Sequence, residues 1–257
     1  MPIHFDKIDE NKIILALEGA KGNSFGPDIL QELLDQFDKI SDDDSIKGIV
    51  ITGMGRAFSV GGNVFAMYEA IEGGNARTYL DAVVPLIEKV VTTILQYPKP
   101  VIAAVNGAAA GGGLSLALAC DEIVCVQGAK FGMAFGGLAL SPDSGSSVLY
   151  ADHFGRKTAI HGIATAQVFT AMEVQDRGIA TIIDADNLLK EAAKRVDAKV
   201  AKSAYSYAKT KLLVNQNMVN QLKHNLPMEY ETIKEASLRQ EFEDKVRQTV
   251  GLLTKKD

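Results

Sequence analysis

Apolar residues along the chain follow two rhythms. Short β-branched runs at Ile13–Leu17 (IILAL), Gly48–Thr52 (GIVIT), Val101–Val105 (VIAAV), Ile123–Val126 (IVCV) and Ile179–Ile183 (IATII) have the continuous character of strands buried on both faces of a sheet. Leu80, Val83, Val84, Ile87, Val90, Val91, Ile94 and Leu95 instead recur at i, i+3, i+4, i+7, the spacing that collects side chains on one face of a helix. Pro85 predicts a kink or restart in that helix, and Tyr97-Pro98-Lys99-Pro100 predicts its end before the next strand. Beyond residue 187 the strand signal stops. The remaining chain, rich in Lys, Glu and Gln, predicts helices over Leu188–Ala204, Tyr230–Gln240 and Phe242–Leu253. The pattern is that of an α/β core over 1–187 followed by a helical region over 188–257.

Three glycine-bearing turns follow predicted strands, and the carboxyl ends of strands are where α/β proteins bind ligands. Gly53 to Asn63 (GMGRAFSVGGN) follows the GIVIT run. Asn106 to Gly113 (NGAAAGGG) follows VIAAV and leads into the helix-compatible Leu114–Ala119. Ser141 to Ser147 (SPDSGSS) leads into a helix predicted over 147–155. Glycine before a helix serves tight turns as well as ligands. No Gly-x-Gly-x-x-Gly follows the first strand, so a dinucleotide site is not indicated. Backbone N–H groups at a helix start, approached closely through glycine, do suit a developing oxyanion.

Composition narrows the function classes. In 257 residues, 27 Lys+Arg stand against 32 Asp+Glu, a net charge of −5, which leaves no electrostatic footprint for nucleic acid. Cys120 and Cys125 lie in an apolar run without a nearby His, so they read as buried thiols in a reducing compartment, and no metal site is expected. The N-terminus MPIHFDKIDE has neither a basic nor an apolar leader segment, and no apolar run reaches membrane-spanning length. A cytoplasmic protein with no membrane partner is expected.

GRAFSVGGN (55–63), KPVIAAVNGAAAGGGLSLALACD (99–121), AKFGMAF (129–135) and SPDSG (141–145), in this order and spacing, resemble the crotonase (enoyl-CoA hydratase/isomerase) superfamily. The resemblance implies a ββα spiral fold, a C-terminal helical oligomerisation region, and a homotrimer or dimer of trimers. It implies an acyl-CoA or acyl-carrier-protein thioester in fatty acid metabolism, with coenzyme A as part of the substrate and no separate cofactor. By position Gly62 and Gly112 correspond to the two oxyanion N–H donors. Ser59, Val60, Gly61, Met67, Gly111, Ser115, Phe135 and Pro142 are then expected around the substrate, with Met54 and Met133 as further candidates for an acyl pocket.

The departures from the family pattern are as informative. Hydratases of the family carry two glutamates, and those positions hold Ser115 and Phe135 here. Adding water across a double bond is work for two groups, so a hydratase-like lyase is the second reading. Asp143 remains, and its alternative role is a helix N-cap. Aspartate at this place resembles the base of family isomerases, where one carboxylate moves a proton between the γ and α carbons. Aryl-CoA dehalogenases use such an aspartate as nucleophile, but the histidine they draw from the preceding helix is absent, with Glu88 near its place. Two further alternatives are a hydrolase with Ser115 as nucleophile and His153 or His161 as base, and a non-catalytic acyl-thioester binder. Phe65 stands where relatives often hold a lysine for CoA phosphates, which leaves that work to Lys21, Arg56 or lysines of a neighbouring tail.

Overall fold

The computed structural model describes residues 2–255. Its strands are β1 (Ile3–Asp9), β2 (Lys12–Leu17), β3 (Gly48–Gly53), β4 (Ala57–Ser59), β5 (Val101–Val105), β6 (Ala108–Ala110), β7 (Glu122–Cys125), β8 (Lys130–Gly132), β9 (Val168–Thr170) and β10 (Thr181–Ile182). The helices are α1 (Ala20–Asn23, a single kinked turn), α2 (Pro27–Ser41), α3 (Val64–Glu72), α4 (Thr78–Gln96), α5 (Gly112–Ala119), α6 (Ser146–Phe154), α7 (Arg156–Thr165), α8 (Ala171–Asp176), α9 (Leu188–Val200), α10 (Ala204–Ser237) and α11 (Gln240–Thr254).

The apolar runs form a six-stranded sheet in the order β1-β2-β3-β5-β7-β10. It is parallel apart from the edge strand β1, which pairs antiparallel with β2 from Ile3 opposite Leu17 to Asp9 opposite Lys12. Alternation along the strands sorts their side chains into two cores. Ile13, Leu15, Leu17, Ile49, Ile51, Val101, Ala103 and Val105 face the large core built with α2 and α4. Ile14, Ala16, Val50, Ile102, Ala104 and Val124 face Leu188, Ala192 and Val196 of α9. Helix α9 thus covers the second face of the sheet.

The first two glycine turns contain short strands, β4 and β6. β4, β6, β8 and β9 form a second sheet in that order, parallel until β9 pairs antiparallel with β8. Three strands of the first sheet are each followed by a three-residue strand of this sheet and then by helix: β3-β4-α3, β5-β6-α5 and β7-β8-α6. This is the ββα repeat expected from the resemblance, and residues of all three predicted turns line one cleft.

Three local expectations are corrected. Pro85 does not restart α4, which runs unbroken for 19 residues; Pro85 is exposed, so the carbonyl it frees can be satisfied by water. The tail is differently divided: Ala204 opens a 34-residue α10 containing Pro227, and the next break falls at Leu238-Arg239. The last strand shrinks from Ile179–Ile183 to Thr181–Ile182. Among the described residues no helix is long and apolar enough to cross a membrane.

Candidate active site

Backbone turns from two layers of the repeat meet at the site. After β4, Ser59 Oγ donates to the Asn23 carbonyl (2.8 Å) and accepts from the Gly61 amide (3.2 Å). Phe25 N–H donates to the Gly61 carbonyl (2.7 Å). Asn63 then caps α3, its side chain accepting from the Phe65 and Ala66 amides. After β6, Gly111 donates to the Gly132 carbonyl (2.9 Å) and accepts from the Tyr150 hydroxyl (2.8 Å). Gly111 has φ +51° and ψ −127°, a conformation open only to glycine. At Gly61, with φ +78°, a Cβ would stand 2.5 Å from the Ala110 carbonyl oxygen and 2.9 Å from the Gly112 nitrogen, so its absence lets the turns touch. Among the described residues the Gly62 and Gly112 amides have no hydrogen-bond acceptor. Gly112 opens α5, where the helix dipole favours negative charge.

Both glycines line one cleft, walled by Phe25, Met67, Leu80, Val83, Val84, Ile87, Phe135 and Leu140 and reached by Asp143 and Ser144. Tyr79 closes one side, its hydroxyl donating to the Phe25 carbonyl (2.7 Å) and accepting from the Asn63 amide (2.6 Å). An adjoining cleft shares Val60, Gly62, Ala134 and Leu138 and extends past Lys21 and Phe65 to Thr249 and Leu253 of α11. There Lys21 Nζ lies 5.5 Å from the centre of the Phe65 ring. Arg56 lies outside both linings.

Asp143 is the one carboxylate among the residues lining the first cleft. It is 8% exposed, and Ser144 Oγ donates to its Oδ1 at 2.6 Å. Burial pushes its pKa up to about 7; the Ser144 hydrogen bond opposes that rise and the charge of Glu229 adds to it. Asp143 does not cap α6. The cap residue is Gly145, without a side chain, and Glu229 of α10 accepts the Gly145 and Ser147 amides instead, at 2.8 and 2.9 Å. Glu88 of α4 is half-buried, and its Oε1 has no partner among the described residues. Burial, followed by the charges of Glu229 and Asp143, lifts Glu88 to about 8.

Of the residues singled out in the sequence, Val60, Gly62, Met67, Gly111, Gly112, Phe135 and Asp143 line the first cleft. Ser59, Gly61, Ser115 and Pro142 do not. Ser59 and Gly61 are spent on the turn behind it, and Pro142 precedes Asp143 outside the lining. Ser115 is fully buried in α5. His153 Nδ1 is bound to the Leu149 carbonyl and His161 is exposed on α7, so no histidine is hydrogen-bonded to Ser115 among the described residues. Met54 is exposed and Met133 fully buried, both outside the cleft. Sequence reasoning placed Glu88 on the helix before the Gly-rich turn but missed the cleft wall supplied by α4 and Glu229 beside the Asp143 turn.

A family model described as enoyl-CoA hydratase/isomerase matches residues 12–249. The chain is 29% identical over 231 residues to a probable enoyl-CoA hydratase of Bacillus subtilis, with 89% of this chain and 88% of that protein covered. It is 26% identical over 226 residues to a trans-2-decenoyl-[acyl-carrier-protein] isomerase of Streptococcus mutans, covering 88% and 86%. The crystal structure of an enoyl-CoA hydratase from Bacillus halodurans superposes with a TM-score of 0.87 at 23% identity, over 96% of this chain and all of that one, and so shares the crotonase fold. The ββα repeat, the paired glycine turns and a match spanning nearly the whole chain together place it: it belongs to the enoyl-CoA hydratase/isomerase family.

Proposed function

We propose that the chain is an enoyl-thioester isomerase, with Asp143 moving the proton and the Gly62 and Gly112 amides holding the oxyanion. The observation that carries this reading is a single carboxylate in an apolar cleft whose pKa of about 7 suits it to both take and give a proton near neutral pH. A thioester carbonyl accepting two N–H bonds makes its α-carbon acidic, because the enolate charge develops where the donors already point; one such donor is worth about 10²–10³ in rate. From a 3-enoyl thioester, Asp143 takes a proton from C2, the dienolate spreads its charge to C4, and the same carboxyl returns the proton there. The bond moves from C3–C4 to C2–C3, and nothing else is consumed.

The hydratase alternative draws support from relatives that bear that name. Against it, Phe135 walls the cleft and Ser115 lies behind it, at the positions where a hydratase's glutamates would hold water. The thioester carrier, coenzyme A or an acyl-carrier protein, enters this reading through the mouth lined by Lys21 and Phe65. The apolar side chains of Leu212, Leu213 and Val214, exposed on α10, support assembly as a trimer or dimer of trimers, which light scattering at micromolar concentration tests.

The deciding experiment is incubation with 3-hexenoyl-CoA and 2-hexenoyl-CoA in D₂O with mass detection. Isomerisation with deuterium confined to C2 and C4 is expected. Gain of the mass of one water overturns the isomerase reading in favour of hydration, and tight binding with no exchange at either carbon overturns it in favour of a binder.

A further inference from the structure

The turn that carries Asp143 is held from the far end of the chain. Ser144 and Gly145 both adopt left-handed conformations, with φ of +58° and +73°, and a non-glycine residue keeps such a shape only where its surroundings enforce it. What enforces it comes from α10. Glu229, 4% exposed, accepts the Gly145 amide on Oε2 and the Ser147 amide on Oε1. One turn earlier Asn225 Nδ2 donates to Ser147 Oγ at 3.1 Å, and Leu222 packs so closely on Gly145 that a Cβ there would stand 2.7 Å from its Cδ2. Both carboxylate oxygens of Glu229 are thus spent on the two amides flanking Ser146, directly after the Asp143–Ser144 pair.

We propose that Glu229 is a positioning residue for Asp143: its two amide bonds fix the turn that aims the Asp143 carboxyl into the cleft, and they hold a second buried carboxylate against that turn. The inference rests on Asp143 being the proton carrier. The titratable groups facing Asp143 are Glu88 and Tyr79 from α4, Tyr150 from α6 and Glu229 from α10. Of these, Glu229 alone is hydrogen-bonded to the backbone of the turn. Burial lifts the pKa of Glu229 itself above the ordinary glutamate value, and the two amides oppose that lift by favouring the charged form.

The variant that separates the two functions of Glu229 is Glu229→Gln, nearly the same shape. Its oxygen can accept one amide, but its NH₂ group faces the other donor to donor, and its charge is gone. With 3-hexenoyl-CoA, the acid limb of kcat/KM against pH is expected to move down by about one pH unit, the scale on which a like charge acts in a buried site. At the plateau kcat should fall about 10-fold with KM within about 2-fold, because misaiming a catalytic group penalises the transition state and spares ground-state binding. Glu229→Asp, which keeps the charge on a shorter reach, should restore the acid limb and recover only part of kcat. Asp143→Asn is measured alongside. If it is inactive while Glu229→Gln retains the parent pH profile and kcat, the positioning role is overturned. If Asp143→Asn turns over normally, the reading beneath it fails instead.

Discussion

Helix α10 brings a buried charge to the core at two places, and they are built oppositely. Near its start Lys211 Nζ lies 2.8 Å from Asp121 Oδ2, with side chains 3% and 10% exposed, and the same oxygen accepts the Val101 amide at 2.7 Å. Burial lowers the Lys211 pKa and the charge of Asp121 pulls it back up, so two opposite charges settle each other. Near its end Glu229 meets two amides and, among the described residues, no cation. Its charged neighbours are Asp143 and Glu88, which carry the same sign. The first contact is a joint between tail and sheet; the second combines burial with like charges held close, which disfavours ionisation and moves carboxyl pKa values into the range where proton transfer near neutral pH is efficient.

The contrast can be broken most forcefully at Asp143. Asp143→Asn should lower the isomerisation rate by about 10²–10⁴ and yet raise the melting temperature at pH 8, because it removes a carboxylate from an apolar cleft. A fall in both rate and stability would show that Asp143 is part of the scaffold. Lys211→Ala tests the other contact. Leaving Asp121 buried without its cation should remove about 3–5 kcal/mol of stability, read as a melting temperature lower by about 2–4 °C per kcal/mol in a chain of this size. The pH–rate profile of the protein that remains folded should not move. A shifted profile would mean that the two contacts are coupled along α10.

Glu88→Gln should give the smallest effect, and its sign is the informative part. The folded-state pKa of Glu88 is raised from 4.5 to about 8, so between those values the native chain holds more protons than the unfolded one, and stability falls as pH rises. Glutamine removes that loss. The decline in melting temperature between about pH 5 and pH 8 should be shallower in the variant, and the two proteins should converge well below pH 4.5, where the glutamate is protonated in both states. Parallel curves would place the Glu88 side chain in water.

The first sheet was legible in the sequence because parallel strands buried on both faces are continuous apolar runs, and IILAL, GIVIT and VIAAV are little else. The second sheet was not, since AFS, AAA and KFG are too short to show a period of two and are rich in residues that also make turns. Helix α10 was only half visible: it touches the core through Lys211, Val219, Leu222, Glu229 and Ile233, a thin seam in a polar stretch. Asp143 and the paired glycines stood in recognisable motifs. The α4 wall did not stand out, because a stripe facing a cleft and a stripe facing a core are written with the same residues. Glu229 had no local signal at all; its partner Gly145 lies 84 positions away.

The two cysteines give the protein a built-in reporter of its own opening. Cys120 and Cys125 are both buried and unbridged, one with its Sγ directed at the Leu116 carbonyl and the other as the last residue of β7. Burial pushes both thiols up, Cys125 to about 11, so the reactive thiolate is scarce in the native state. A thiol reagent such as DTNB should therefore label Cys125, fully buried in β7, only as fast as the sheet around it opens. The labelling rate, followed with reagent concentration, becomes a measure of how often the core of this fold comes apart under native conditions.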